Sequence, residues 1–79
     1  GPGMSRRARA VVILLTDRRE LGAPLRLVSR HGPHATARPE LARRFPSKRL
    51  ARRWLSGLPA GHRIKTRYRP TVDTLEQAP

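Results

Sequence analysis

The segment His62-Arg63-Ile64-Lys65-Thr66-Arg67-Tyr68-Arg69-Pro70 carries the densest pattern of chemically competent side chains in the sequence. Side chains of a β-strand alternate between the two faces of a sheet. Written as a strand, the segment sends Ile64, Thr66 and Tyr68 one way and Arg63, Lys65, Arg67 and Arg69 the other. Neighbouring cations on that face lie roughly 6–7 Å apart. Such a ladder is suited to an opposed array of phosphates or carboxylates, because unopposed like charges repel. Charge on an edge strand also guards against sheet-to-sheet pairing, but one lysine is enough for that.

Nothing comparable points to bond-making chemistry. The acids are Asp17, Glu20, Glu40, Asp73 and Glu76, and none stands at a telling spacing from His31, His34 or His62. No phosphate-cradling glycine loop, nucleophile elbow or metal motif occurs. His31-Gly32-Pro33-His34 with His62 supplies imidazoles, but a zinc site normally takes four ligands, commonly with cysteine, and the chain has no cysteine. The expectation is a binding protein and not an enzyme, with no metal, no cofactor and no small-molecule substrate.

The charge balance says what it binds. Eighteen basic residues against five acidic ones give a formal charge of +13, and only Lys48 and Lys65 are lysines. Codon bias of a GC-rich genome accounts for arginine over lysine. It does not account for so few acids. Guanidinium groups fork bidentately onto phosphates and carboxylates and stack on bases. An anionic partner is therefore expected.

At 79 residues the chain makes one small domain with a thin core. Without cysteine there is no disulfide framework. No apolar run approaches the roughly 20 residues that span a bilayer, and Val11-Val12-Ile13-Leu14-Leu15 is too short for a signal peptide. A cytoplasmic protein with no membrane partner is expected. Gly1-Pro2-Gly3 ahead of Met4 reads as the remnant of a cleaved tag.

These side chains need elements to hold them. Residues 4–9 read as a mobile basic arm. Residues 10–16, apolar on both faces, read as a central strand. Turn residues follow up to Pro24, then Leu25 to Arg30 reads as a second strand. A loop over 31–39 precedes a single helical turn at 40–45. Pro46 interrupts, and Ser47 caps a helix over about 48–58 whose apolar stripe is Leu50, Trp54, Leu55 and Leu58. Pro59-Ala60-Gly61 ends it, and the basic segment 62–69 is the third strand. The predicted fold is α+β, a three-stranded antiparallel-type sheet with one main helix on one face in the order β-β-α-β. The domain spans 10–71 and the polar residues 72–79 form a disordered tail. One sheet face is left open, with Arg26, Arg30, Arg63, Lys65, Arg67 and Arg69 around an apolar centre. Phe45, Trp54 and Tyr68 are read as core aromatics.

The run Ala42-Arg43-Arg44-Phe45-Pro46-Ser47-Lys48-Arg49-Leu50-Ala51-Arg52-Arg53-Trp54-Leu55, set between two strands and a third, resembles a layout of small bacteriophage-encoded regulatory proteins. In these an aromatic, a short break, a serine cap and a helix join a hairpin to a last strand. The resemblance implies a regulator of host nucleic-acid machinery such as RNA polymerase, and it assigns no residue a role. Helix-turn-helix, zinc-finger and leucine-zipper patterns are absent.

The sequence thus predicts a small basic regulatory protein that contacts DNA or RNA mainly through the phosphate backbone. The alternative is an inhibitor or modulator gripping an acidic face of a host protein, by arginine–carboxylate pairing or by adding a sheet edge to a partner strand. Association with the ribosome or other RNA is a weaker third reading, for want of lysine and exposed aromatics. The expected site is Arg63, Lys65, Arg67 and Arg69 with Arg26 and Arg30. Lys48, Arg49, Arg52 and Arg53 on the helix, and Arg6, Arg7 and Arg9 in the arm, are secondary. The strand ranks above the helix because helix cations are expected to fan around a cylinder.

Overall fold

The computed structural model describes residues 8–77. Its elements in chain order are β1 (Ala8–Asp17), β2 (Arg26–Val28), β3 (Ala35–Thr36), a 3-10 turn (Pro39–Leu41), α1 (Lys48–Ser56), α2 (Arg63–Thr66) and β4 (Tyr68–Gln77). The described residues form an α+β domain around a four-stranded antiparallel sheet of order β3-β2-β1-β4.

β1 is central, as its two apolar faces require. Its odd-numbered residues and the residues opposite them share one face: Val11, Ile13 and Leu15 with Val72 and Pro70 of β4. The helices cover this face. Ile13, Leu15, Val28, Ala51, Ile64 and Tyr68 form the main buried cluster, with Phe45, Trp54 and Leu55 packed against it. The other face holds a smaller cluster of Ala10, Val12, Leu27 and Ala42, flanked by half-buried Leu14 and Leu75.

Between β1 and β2 the chain turns through Gly22, whose φ of +90° fits the third position of a turn closed by the Ala23 N–H on the Glu20 carbonyl. β2 is short because another segment displaces it. Past Val28 the stretch 42–45 is extended and enters between β2 and β1. Arg43 N–H donates to Val28 O, Arg30 N–H to Leu41 O, and Phe45 N–H to Val11 O. The helical turn expected at 40–45 is thus confined to Pro39–Leu41. Backbone partners on both sides outweigh a single i, i+4 pair of Leu41 and Phe45.

α1 forms as predicted. The Ser47 hydroxyl accepts from Leu50 N–H at 3.2 Å, and Gly57 closes the far end. The stripe is centred differently: Ala51 is fully buried, whereas Leu50 is 42% exposed. The small side chain of Ala51 lets the helix approach the sheet closely.

Four expectations are overturned. The sheet has four strands and not three, because Ala35–Thr36, inside the expected 31–39 loop, pairs with β2. The segment 62–67 is not a strand. His62 caps α2, its Nδ1 accepting from Ile64 N–H at 3.1 Å, and the N–H groups of Lys65, Thr66 and Arg67 bond back to His62 and Arg63 carbonyls. The alternation of apolar and basic residues misled because only Ile64 of the pair Ile64 and Thr66 is buried. The last strand instead begins at Tyr68 and runs through the residues expected to be a disordered tail. It pairs with the whole of β1, from Asp17↔Tyr68 to Ala8↔Gln77. That pairing also takes Ala8 and Arg9 out of the predicted arm, while Arg6 and Arg7 lie outside the described residues.

Candidate polyanion-binding surface

Every cation of the predicted ladder can be followed to its place, and they do not share a face. Arg67 forks onto Asp17: Nε lies 3.0 and 3.1 Å from the two carboxylate oxygens and the second amino nitrogen 2.9 Å from Oδ2. The same carboxylate accepts the Arg19 and Glu20 N–H groups at 2.8 and 3.0 Å. The Arg67 bond, then the backbone donors, hold the Asp17 carboxyl far below the usual carboxylate range, and the carboxylate raises Arg67 in turn. Arg18 and Arg19 adjoin Asp17 in sequence, yet the guanidinium that pairs with it lies fifty residues on. Arg18 closes the same corner, its N–H on Arg67 O and its Nε on Tyr68 O, at 2.9 and 2.8 Å. Arg67 is therefore a fold-holding residue. Lys65 donates from Nζ to Leu58 O at 2.7 Å, tying α2 to the start of the loop that leaves α1.

The remaining ladder residues scatter. Arg69 sits opposite Thr16 on the sheet face away from the helices and is exposed. Arg26 and Arg63 are exposed on the helix side, beside a cavity between β2, α2 and the 33–35 loop. Arg30 is in the turn after β2, where its carbonyl accepts from Arg43. No open sheet face rimmed by six cations exists, because the supposed third strand is helical at its start.

α1 is different. Lys48, Arg49, Arg52 and Arg53 are all exposed. At 100° per residue they fall within an arc of about 140°, on the side away from Ala51 and Trp54. They do not fan around the cylinder, as expected from sequence, but make one broad cationic face. The arrangement is unfavourable for the helix itself. Lys48 with Arg52 and Arg49 with Arg53 are like-charge i, i+4 pairs, each costing roughly a few tenths of a kcal/mol. Lys48 and Arg49 also stand at the positive end of the helix dipole. No acid lies within α1, and none of the ion pairs among the described residues reaches its cations: Asp17 pairs with Arg67 at 2.9 Å and Glu40 with Arg38 at 3.2 Å.

Arg43 packs on α1 through Trp54, away from these four cations, and was not singled out from sequence. Its guanidinium lies 4.9 Å from the Trp54 ring centre, and Nε donates to Ser29 O at 3.3 Å. Trp54 in turn meets Phe45 at 5.8 Å between ring centres, tilted 56°. An eleven-residue spacing between an extended segment and a helix gives no periodic signal.

The free sheet edge bears on strand addition. β4 is an edge strand, and the Arg18 N–H to Arg67 O bond fixes its phase, so its even-numbered residues turn their backbone outward. The Tyr68 carbonyl is taken by Arg18, Pro70 has no N–H, and the Thr74 N–H is taken by Asp73. Over 68–74 only Val72 offers both an open donor and an open acceptor. Such an edge is guarded against added strands.

No helix among the described residues is long and apolar enough to cross a membrane. Comparison with protein-family models, with curated proteins and with solved structures gives no match to this chain.

Proposed function

We propose that the protein is a small cytoplasmic regulatory binder of nucleic acid, and not a catalyst, that engages the phosphate backbone through α1. One observation carries this reading. Four exposed cations occupy one face of a nine-residue helix with no acidic partner among the described residues, at a cost to the helix that no internal contact offsets. Phosphates are the repeating anions that such a face neutralises, and guanidinium groups bind them in forked geometry. The overall charge of +13 adds long-range attraction. Backbone contacts of this type carry little sequence information.

Titration of duplex DNA and of RNA across a range of salt tests the reading. Log K should fall linearly with log salt, by about 0.9 per phosphate contacted on duplex DNA and about 0.7 on a single strand. Absence of binding at low salt to both polymers removes the proposal. Retention of protein partners from a nuclease-treated lysate would then favour an acidic protein surface, met by arginine–carboxylate pairing, since the β4 edge is guarded.

A further inference from the structure

The cavity between β2, α2 and the loop before β3 has a volume of about 210 Å³. Its floor is apolar, from Ala35, Ile64 and Tyr68, and Arg26, Arg63 and His34 line it with polar groups. Ile64 is 1% exposed and Tyr68 8%, so the floor is part of the core and is fixed. The loop wall is also held: His34 N–H donates to Gly32 O across Pro33, and His34 O accepts from Ser29 N–H, both at 2.8 Å. Arg26 and Arg63 are exposed and form no ion pair among the described residues. Two exposed arginines at the edge of an apolar floor suit a ligand with an anionic end and an apolar body.

We infer that this cavity takes a single nucleotide, its base against Ile64 and Tyr68 and its phosphate between Arg26 and Arg63. At about 210 Å³ the cavity lies below the roughly 300 Å³ at which pockets for drug-sized ligands begin, so it takes the base alone and leaves sugar and phosphate at the rim, where Arg26 and Arg63 are exposed. Arginine suits both parts of the ligand, forking onto phosphate and stacking on bases. The inference rests on the nucleic-acid reading of α1 but uses other residues. The nucleotide has two sources, a free mononucleotide or an unpaired nucleotide of a bound strand.

Isotope-labelled full-length protein titrated with adenosine 5′-monophosphate, adenosine and inorganic phosphate tests it by NMR. The monophosphate should saturably shift Ala35, Ile64 and Tyr68. Adenosine and phosphate should each bind at least about tenfold more weakly, since each lacks one half of the recognition. Arg26→Gln with Arg63→Gln keeps both core clusters and should weaken the monophosphate by at least about tenfold. A parallel arm compares blunt duplex with duplex bearing one unpaired nucleotide. A preference for the overhang that the double variant loses marks the strand as source, and equal binding with a positive monophosphate titration marks the free nucleotide. If neither the monophosphate nor the overhang senses Arg26 and Arg63, while blunt duplex still binds with steep salt dependence, the cavity proposal is wrong and the α1 reading stands. If the monophosphate binds there but no polymer binds at any salt, the α1 reading is wrong and the cavity is a mononucleotide site.

Discussion

Two stretches of this chain are alike in composition and opposite in what their cations do. Residues 48–53 hold four cations in six positions, and residues 63–69 hold four in seven. In the second stretch Arg67 is locked on Asp17 and Lys65 on the Leu58 carbonyl, while Arg63 and Arg69 point to different surfaces. In the first, all four cations are exposed together and none has an acidic partner among the described residues. A run of basic residues becomes a binding surface only where the fold leaves its charges unspent and gathers them on one side.

The comparison is tested most severely by removing the helix charges. Lys48, Arg49, Arg52 and Arg53 replaced together by Gln should weaken polymer binding at low salt by a hundredfold or more. The salt slope should become shallower by about 0.9 for each duplex phosphate that the variant no longer neutralises. The thermal midpoint should hold or rise, because the like-charge pairs disappear. Unchanged affinity in a folded variant would mean that the free charges are only a solubilising surface.

The reverse pattern is expected at the corner where β1 ends. Asp17→Asn or Arg67→Gln should lower the thermal midpoint by several degrees and leave binding by the folded protein nearly intact. Because the Asp17 carboxyl is held far below its unfolded value of about 3.9, its contribution is present above about pH 4. It is lost as the pH falls from there toward the folded value. A pH series of thermal midpoints should therefore drop more steeply below pH 4 in the parent than in Asp17→Asn. Parallel curves would show that the pair does not couple to folding.

A cap at the start of α1 links its stability to its surface. Ser47→Ala removes the acceptor for the Leu50 N–H and should cost about 1 kcal/mol. Since two cations stand in the capped turn, affinity should fall modestly alongside. Ser47→Asp should keep the cap and recover stability, by denaturant titration, while its charge reduces affinity for phosphate. If Ser47→Asp binds as tightly as the parent, the first turn of α1 does not face the polymer.

Much of the fold was legible because its signals were local. The apolar run of β1 implies a central strand, and Ser47 with a 3.6-residue stripe implies α1. The stretch after α1 was not. His62 caps through an imidazole, an uncommon acceptor, so a period-2 pattern outweighed the four-residue helix it starts. β4 was missed because Thr71, Val72 and Thr74 are β-branched but mixed with Asp73 and Glu76, and its burial comes from β1. The cationic site was legible as charge but not as place. Whether a guanidinium is free depends on carboxylates and carbonyls up to fifty residues away, as with Arg67 and Asp17.

Arg43 gives the finest test, because it is a cation packed on α1 through Trp54 and engaged internally. Its guanidinium covers Trp54, and its N–H groups reach the Ser29 and Arg30 carbonyls at 3.3 and 3.5 Å. Those bonds are long, so the contact with the ring is the larger part. Arg43→Gln should cost about 0.5–1 kcal/mol in denaturant unfolding. Arg43→Lys should lose less, since an ammonium still sits over the ring, although it cannot fork onto two carbonyls. Polymer affinity should change by less than for any one of Arg49, Arg52 or Arg53 changed to Gln. All four substitutions remove the same charge, so long-range attraction falls equally and only local engagement differs. Equal losses of affinity at Arg43 and at the helix arginines would show that net charge, and not the freedom of particular guanidinium groups, sets the binding.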